Sequence, residues 1–368
     1  MKPLYFDIRD LFQSIRLGWS GKKIWVGFRG LVVAYAGYAI LVGLAHLLDG
    51  TTLSQLWHRY GLFPGAVFGE FGVLGTCLHG LGMIFALCVF FISTSMICKI
   101  NFQKIQGDDF FSSGDAWRFA KRHWAEVLLG PVAVLILFLL FVIGGILIGW
   151  LGNWIPVVGE VFFALFFIPI FFVALVAVFV AVVFVVSLLM SPAVVGSVGD
   201  GALEVVIESF SLAWSQPWRM VLYTVWLNVI AGVGVVLLGA FTMGALWLIT
   251  AACGLFMGDK LADLFDLAGK YLFYKPKGWD AIIGNLPVPG SLTWSEIWAG
   301  RILGLMLVGI SGILLAYWQA VYASGISLIY VILRYRKDGD NLLDRQTPGD
   351  LGHKQEAYGE TETETETS

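Results

Sequence analysis

Two histidines occupy matched positions in the first two apolar runs of this chain. His46 lies near the end of the first run, and His79 lies a similar distance into the second. Two imidazoles at one depth on neighbouring helices can serve as the axial ligands of a haem. The alternative is a pair of interfacial or hydrogen-bonded histidines. No other motif points to a cofactor, so we predict none, and His46 and His79 stand only as candidate haem ligands.

Two amide side chains lie inside later apolar runs. Asn228 is in the fifth run and Gln319 is in the sixth. A buried amide of this kind either binds a ligand or hydrogen-bonds to a neighbouring helix, which contributes about 0.6–2 kcal/mol in a membrane. The sequence favours the interhelical hydrogen bond and leaves Asn228 and Gln319 as candidate ligand-binding residues.

The motifs that mark common catalytic and nucleotide-binding sites are missing from the sequence. It contains no G-x-x-x-x-G-K-[ST] loop, no H-E-x-x-H pair and no G-x-S-x-G elbow. The cysteines form no C-x-x-C pair, which favours inert buried thiols over a metal site. They are Cys77, Cys88, Cys98 and Cys253. Lys and Arg cluster at the edges of the apolar runs, so nucleic-acid binding is not expected. The sequence therefore predicts no enzyme and no metal site.

These residues are positioned by an unusually apolar chain. Of its 368 residues 58% are hydrophobic and only 13% are charged, whereas soluble domains carry about 25% charged residues. The uncharged runs are long enough to cross a membrane, since about 20 helical residues span the hydrocarbon core. We predict an all-α, polytopic integral membrane protein with six spans. They are Gly30–Leu48, Gly72–Ile97, Val127–Trp150, Val161–Met190, Met220–Thr242 and Ile302–Leu333.

The basic residues predict how the spans are oriented. Residues 1–29, the connection between the second and third spans, and the tail after Leu333 are rich in Lys and Arg. Cytoplasmic segments carry this excess, so both termini are predicted to be cytoplasmic, in a cell membrane taken to be a prokaryotic inner membrane. Residues 259–301 carry five basic residues on the opposite side and disagree. The predicted organisation is a cytoplasmic amphipathic segment (1–29), a membrane domain (30–333) and a disordered cytoplasmic tail (334–368).

The fifth apolar run is too long for one ordinary span. Met220 to Gly258 is almost uninterrupted and would be about 58 Å long as one helix, nearly twice the hydrocarbon thickness. We therefore predict one crossing to about Thr242, with a break marked by Gly239 and Gly244. The segment that follows, residues 241–258, is predicted to be re-entrant or interfacial, with one long helix as the alternative.

Three segments outside the spans have the amphipathic pattern of helices that lie in the membrane interface. They are residues 115–126, 203–215 and 259–274. A polar stripe at helical spacing in the second segment is predicted to face water. It consists of Glu204, Glu208, Ser211 and Ser215.

The N-terminal segment shares a pattern with residues 203–215. "SIRLGWS", from Ser14, and "SFSLAWS", from Ser209, have the same serine, leucine and tryptophan positions. With residues 115–126 as a middle copy, the pattern predicts a threefold repeat of an interfacial helix followed by two spans. The alternative is that Trp and Arg merely anchor helix ends at headgroup depth.

Small residues recur on two spans and predict close approach of helix backbones. Gly145 and Gly149 lie one helical turn apart on the third span. Gly312, Ala316 and Ala320 form a similar stripe on the sixth.

A family resemblance is carried by two short stretches. "SFSLAWSQPWR", Ser209–Arg219, and "LIYVILRYRKDGDNL", Leu328–Leu342, resemble the membrane domain of some bacterial glycerophosphodiester phosphodiesterases and related multi-span proteins of uncharacterised function. The long polar stretch that would form the family's phosphodiesterase barrel has no counterpart here. The resemblance implies a six-span fold of obscure function without the catalytic part.

Three functions compete at this level. The first is a non-enzymatic scaffold or accessory subunit of a membrane complex, whose partners are the lipid bilayer and other membrane proteins or further copies of itself. The second is a transporter or lipid-handling permease, which should show broken helices or polar groups near the midplane of the membrane. The third is a respiratory subunit that binds haem or quinone.

Overall fold

A computed structural model describes residues 5–60, 62–64, 71–154, 158–199, 201–272, 294–339 and 342–344. Its regular structure is helical, and the described residues contain no strand. The helices are α1 Gln13–Gly18, α2 Gly21–Leu48, α3 Leu53–Tyr60, α4 Val73–Gln106, α5 Ser113–Trp154, α6 Val158–Leu165, α7 Phe167–Val198, α8 Ala202–Ser215, α9 Pro217–Met257, α10 Asp259–Leu272 and α11 Trp294–Asp338, with short 3₁₀ turns at Ile8–Phe12 and Leu342–Asp344.

Six helices of the described chain are long and apolar enough to cross a membrane. They are α2, α4, α5, α7, α9 and α11. The predicted all-α, polytopic membrane fold is therefore confirmed. The boundaries differ at both ends, because α2 begins at Gly21 inside the predicted N-terminal segment and α11 continues to Asp338 inside the predicted tail. Most of that tail lies outside the described residues.

The predicted interfacial helix at residues 115–126 is wrong as a separate element. These residues are the first turns of α5, which runs unbroken from Ser113 to Trp154 and contains Pro131. Proline has no N–H, so it leaves the carbonyl four residues earlier without its helical donor. That carbonyl belongs to Val127, and Ser191 of α7 donates its hydroxyl to it at 2.6 Å. A side chain from α7 thus replaces the missing backbone bond, and the helix continues.

The predicted break in the fifth run is also wrong. Helix α9 has 41 residues, about 61 Å at 1.5 Å per residue, and passes through Gly239 and Gly244 without interruption. A glycine weakens a helix by only about 0.5–1 kcal/mol. An opened backbone in hydrocarbon leaves polar groups unsatisfied, which costs several kcal/mol for each group. The unbroken helix is therefore the more stable arrangement. Residues 241–257 are therefore part of one long helix rather than a re-entrant or interfacial piece.

The amphipathic pattern at residues 259–274 corresponds to α10, Asp259–Leu272. Residues 273 and 274 lie outside the described chain. Leu267 and Ala268 are buried. A methyl group at Gly300, in the first turns of α11, would lie 2.7 Å from the Cβ of Leu267, so α10 packs closely on α11 at a position where only glycine fits.

The described residues form two compact units, and α4, α9 and α11 contribute to both. Unit 1 comprises residues 1–18, 94–230 and 321–368, and unit 2 comprises residues 19–93 and 231–320. In unit 1, α5, α7 and α8 pack on one another, with Gly130 of α5 against Val205. The end of α4 joins α11 through the amide of Asn101, which donates to the Ser324 carbonyl at 3.2 Å.

Unit 2 is built around close contacts of α2. A methyl group at Gly30 would lie 2.5 Å from the Cβ of Ser93 on α4, and one at Gly27 would lie 3.3 Å from the Ala316 carbonyl on α11. A methyl group at Gly312 would lie 3.0 Å from the Phe28 ring. The small-residue stripe predicted on the sixth span is therefore used inside the chain.

Candidate functional site

Helix α8 agrees with the predicted interfacial helix at 203–215 in extent but not in orientation. Glu208 is only 4% exposed and Ser209 is fully buried, whereas Leu203 and Trp214 are 74% and 79% exposed. The predicted water-facing stripe is thus wrong at Glu208, although Ser215 is exposed. The physical reason is a charged partner on α11 that draws the carboxylates inward.

That partner is Arg334, near the end of α11. Its Nη1 lies 3.1 Å from Glu208 Oε1 and 3.5 Å from Glu204 Oε1, and it donates to the Tyr330 hydroxyl at 2.7 Å. Lys337 Nζ lies 3.6 Å from Glu208 Oε2. Two carboxylates therefore face two cations in a site that buries most of Arg334 and Glu208. We call these five residues the Arg334 cluster.

The end of α11 also holds the N-terminal segment. Arg336 donates through Nε to the Phe6 carbonyl at 2.9 Å and through Nη2 to Asp7 Oδ1 at 3.2 Å. The Phe6 and Tyr335 rings stack at 4.0 Å. One turn of α11 thus fixes both α8 and the start of the chain within unit 1.

The Arg334 cluster is charge-compensated, which limits its chemistry. Removing one member of a buried ion pair typically costs about 3–5 kcal/mol, because the remaining charge is left unpaired. A general base or nucleophile must be free to change its protonation or bonding, and these carboxylates are engaged by cations. The cluster is therefore a clamp between α8 and α11. Sequence patterns alone did not predict this cluster. The feature of the sequence that points to it is Arg334, an arginine at the end of a long apolar run.

The structure places both candidate haem ligands beside the same aromatic ring in unit 2. The His46 ring lies 4.7 Å from the Phe71 ring and 5.1 Å from that of Tyr60. The His79 ring lies 5.9 Å from Phe71, and its Nε2 is 3.5 Å from the Tyr38 hydroxyl. Both histidines are buried. Haem ligation by the pair stays a prediction, and no group of three or more His, Cys, Asp or Glu converges within the described ranges.

The two amides have different environments. Gln319 on α11 is buried, and its Nε2 donates to Ser93 Oγ on α4 at 2.7 Å. This is an interhelical hydrogen bond of the kind that the sequence favours for that residue. Asn228 is exposed and donates to the Thr224 carbonyl of its own helix at 2.8 Å. Ligand binding by either amide stays a prediction.

A helical hairpin gives unit 1 a long exposed apolar surface. We define the apolar hairpin as residues 135–154 of α5, all of α6, and residues 167–179 of α7. No residue of its two long arms is buried, and Glu160 is the hairpin's single charged side chain among the described residues. At its tip, Gly159 packs directly on the Gly152 carbonyl, where any side chain would clash.

The small-residue stripe of α5 lies on this hairpin and has no close neighbour in the part of the chain that the structure describes. A methyl group at Gly145 or Gly149 would meet no described atom within 4 Å. The close helix approach predicted at these glycines is therefore not made within the described chain. The stripe faces outward from unit 1.

No protein-family model, curated protein or solved structure matches the chain. The six apolar helices make it an integral membrane protein. Its further role must be inferred from its own charges, contacts and exposed surfaces.

Proposed function

We propose that this protein is a non-enzymatic scaffold or accessory subunit of a membrane complex. The observation that supports the proposal is the apolar hairpin, whose two long arms contain no buried residue and many exposed apolar side chains. The α5 arm is about 30 Å long at 1.5 Å per residue and the α7 arm about 20 Å, so the longer arm matches the hydrocarbon thickness of a bilayer. Helices associate in membranes through close packing at small residues, and Gly145 and Gly149 offer such a surface in the membrane-embedded part.

The rival functions have less support from the geometry. Transporters bind substrate at discontinuous helices near the midplane of the bilayer. Helices α5, α9 and α11 are continuous over their described lengths, and the fifth run, which gave the strongest hint of a broken helix, is unbroken. The ionisable residues of the Arg334 cluster lie at the end of α11 and neutralise one another. A lipid-handling permease is the alternative that the test below addresses.

The proposal also includes the membrane in which the protein lies and a relationship to a protein family. We place the protein in a cell membrane with both termini cytoplasmic, on the basis of the Lys and Arg excess in residues 1–29 and 334–354. A relationship to the membrane domain of glycerophosphodiester phosphodiesterases is also proposed. It rests on the two stretches that resemble this family. These stretches include parts of α8 and the end of α11, which pack together through the Arg334 cluster.

Photo-crosslinking in living cells tests the scaffold function. A photoreactive amino acid is placed at Ile146 of the hairpin, which is 64% exposed, or at Ile40 of α2, which is 63% exposed and serves as the matched control. We expect discrete protein adducts of higher mass at Ile146 that are absent at Ile40. Lipid adducts alone at Ile146, or the same adducts at both sites, would contradict a docking role and favour the lipid-handling alternative.

A further inference from the structure

The first three turns of α5 present a cationic, aromatic face on unit 1. Its exposed side chains are Trp117, Arg118, Lys121, Arg122 and Trp124. The opposite side of the same turns is buried and packs inside unit 1 through Ala116, Ala120 and Val127. We call the exposed side the cationic face of α5.

The acidic residues of these turns are already engaged. Asp115 accepts the Ser112 hydroxyl at 2.6 Å through Oδ2, and its Oδ1 lies 3.6 Å from Arg118 Nη1. Glu126 pairs with the ring of His123. Lys121 Nζ lies 5.5 Å from the Trp117 ring centroid. Within the described ranges Lys121 and Arg122 form no ion pair, so the cationic face carries uncompensated positive charge.

The same side of α5 continues as an apolar band. Leu129, Val132 and Ile136 follow on this side and are all exposed. Because the Ser191 hydroxyl compensates for Pro131, the helix joins the two bands without a break. At 1.5 Å per residue, the apolar band begins about 12 Å beyond Lys121 and reaches about 22 Å beyond it.

This arrangement fits one kind of molecule. A phospholipid carries its phosphate at the headgroup and its acyl chains at increasing depth, and Trp side chains favour headgroup depth. A free phosphate or a soluble anion would use the charges but not the apolar band. Each basic side chain near a membrane surface contributes about 1 kcal/mol to the free energy of binding anionic lipids.

We propose that the cationic face of α5 binds an anionic phospholipid. Its phosphate contacts Lys121 and Arg122, and an acyl chain lies along Leu129, Val132 and Ile136. The site shares only Ile136 with the apolar hairpin and its charged part lies outside it, so it does not depend on the proposed scaffold function.

Lipid retention by the purified full-length protein tests the proposal. Delipidated protein is mixed with phosphatidylglycerol and phosphatidylcholine of identical acyl chains, and the bound lipids are counted by native mass spectrometry. Wild type should prefer phosphatidylglycerol. Lys121→Gln/Arg122→Gln should reduce this preference about thirtyfold, since the two charges contribute about 1 kcal/mol each. Arg122→Lys, which keeps the charge, should retain most of it.

The control removes two exposed charges elsewhere in unit 1. Arg9 and Arg16 are exposed in the N-terminal segment, and Arg9→Gln/Arg16→Gln should leave the preference unchanged. Inorganic phosphate at millimolar concentration should not displace the lipid. An unchanged preference in Lys121→Gln/Arg122→Gln, an equal loss in the control, or displacement by phosphate would overturn the proposal.

Discussion

At the scale of single residues, partners from distant parts of the chain compensate for two buried polar groups of unit 1. The Val127 carbonyl, left without a helical donor by Pro131, accepts the Ser191 hydroxyl. Glu208 is paired by Arg334 and Lys337. Periodicity predicted a polar stripe on α8 but not its direction, because the stripe is drawn inward by a partner more than a hundred positions later in the sequence. Long-range pairing of this kind leaves no local signal.

The hydrogen bond from the Ser191 hydroxyl to the Val127 carbonyl predicts how two substitutions change stability. Ser191→Ala should lower the free energy of unfolding by about 1–3 kcal/mol, because a buried carbonyl loses its donor. Adding Pro131→Ala should recover part of this loss, since alanine restores the helical N–H. Thermal unfolding in detergent measures both variants. Ser187→Ala removes another fully buried hydroxyl of α7, one with no hydrogen-bond partner among the described residues, and should be nearly neutral. A loss as large as that of Ser191→Ala would contradict the argument.

The Arg334 cluster predicts a larger effect. Glu208→Gln should destabilise the protein by about 3–5 kcal/mol, because it leaves Arg334 buried beside fewer compensating charges. Arg336→Gln should cost less than about 1 kcal/mol, because its ion pair with Asp7 is partly exposed and such pairs are weak. Thermal unfolding in detergent checks both. Equal losses in the two variants would mean that burial does not decide the strength of these pairs.

At the scale of elements, the long apolar runs predicted the presence of each spanning helix. They did not predict that the helices continue without a break, because hydrocarbon thickness sets the shortest length of a spanning helix and not its upper limit. Helices α5 and α9 exceed that shortest length, and the backbone keeps its hydrogen bonds because hydrocarbon offers no replacement for them. The α10 pattern was predictable from its own periodicity, but its contact with Gly300 was not.

The continuity of α9 predicts the sign of glycine substitutions. Gly239→Ala and Gly244→Ala should each raise the free energy of unfolding by up to about 1 kcal/mol, because both sites have open space and helical backbone. A break at these glycines would make the same changes neutral or destabilising. Gly37→Ala is the control, because its new methyl group would collide with the Phe85 ring, and it should destabilise. Thermal unfolding of the three variants checks these signs.

At the scale of the whole molecule, two of the three predicted repeat copies share a structural pattern. Ser14 and Ser209 are buried, and Trp19 and Trp214 are exposed. In each copy a short helix ends just before a long one begins, at Gly21 for α2 and at Pro217 for α9. The middle copy differs because α5 has no such break. The threefold repeat stays a prediction, and sequence similarity did not indicate the fusion of helices in its middle copy.

The unbroken α9 also bears on the orientation of the chain. We predict that α9 crosses once from Arg219 to Asp259, which would put Lys260 of α10 on the side opposite Arg219, despite its charge. The more numerous Lys and Arg residues of the N-terminal segment, the α5 start and the α11 end then decide the orientation together. We predict that the start of α5 is cytoplasmic and that the tip of the apolar hairpin is on the other side.

Thiol labelling of intact cells tests this orientation. In a background without native cysteines, a membrane-impermeant reagent should label Asn153→Cys at the hairpin tip and Asp259→Cys at the start of α10. Ser112→Cys, just before α5, should react only after the membrane is permeabilised. The cationic face of α5 requires the same placement, because it puts Lys121 and Arg122 at the cytoplasmic headgroups, where anionic lipids attract basic segments. Labelling of Ser112→Cys and Asn153→Cys from the same side would contradict the topology, since α5 could not then cross the bilayer.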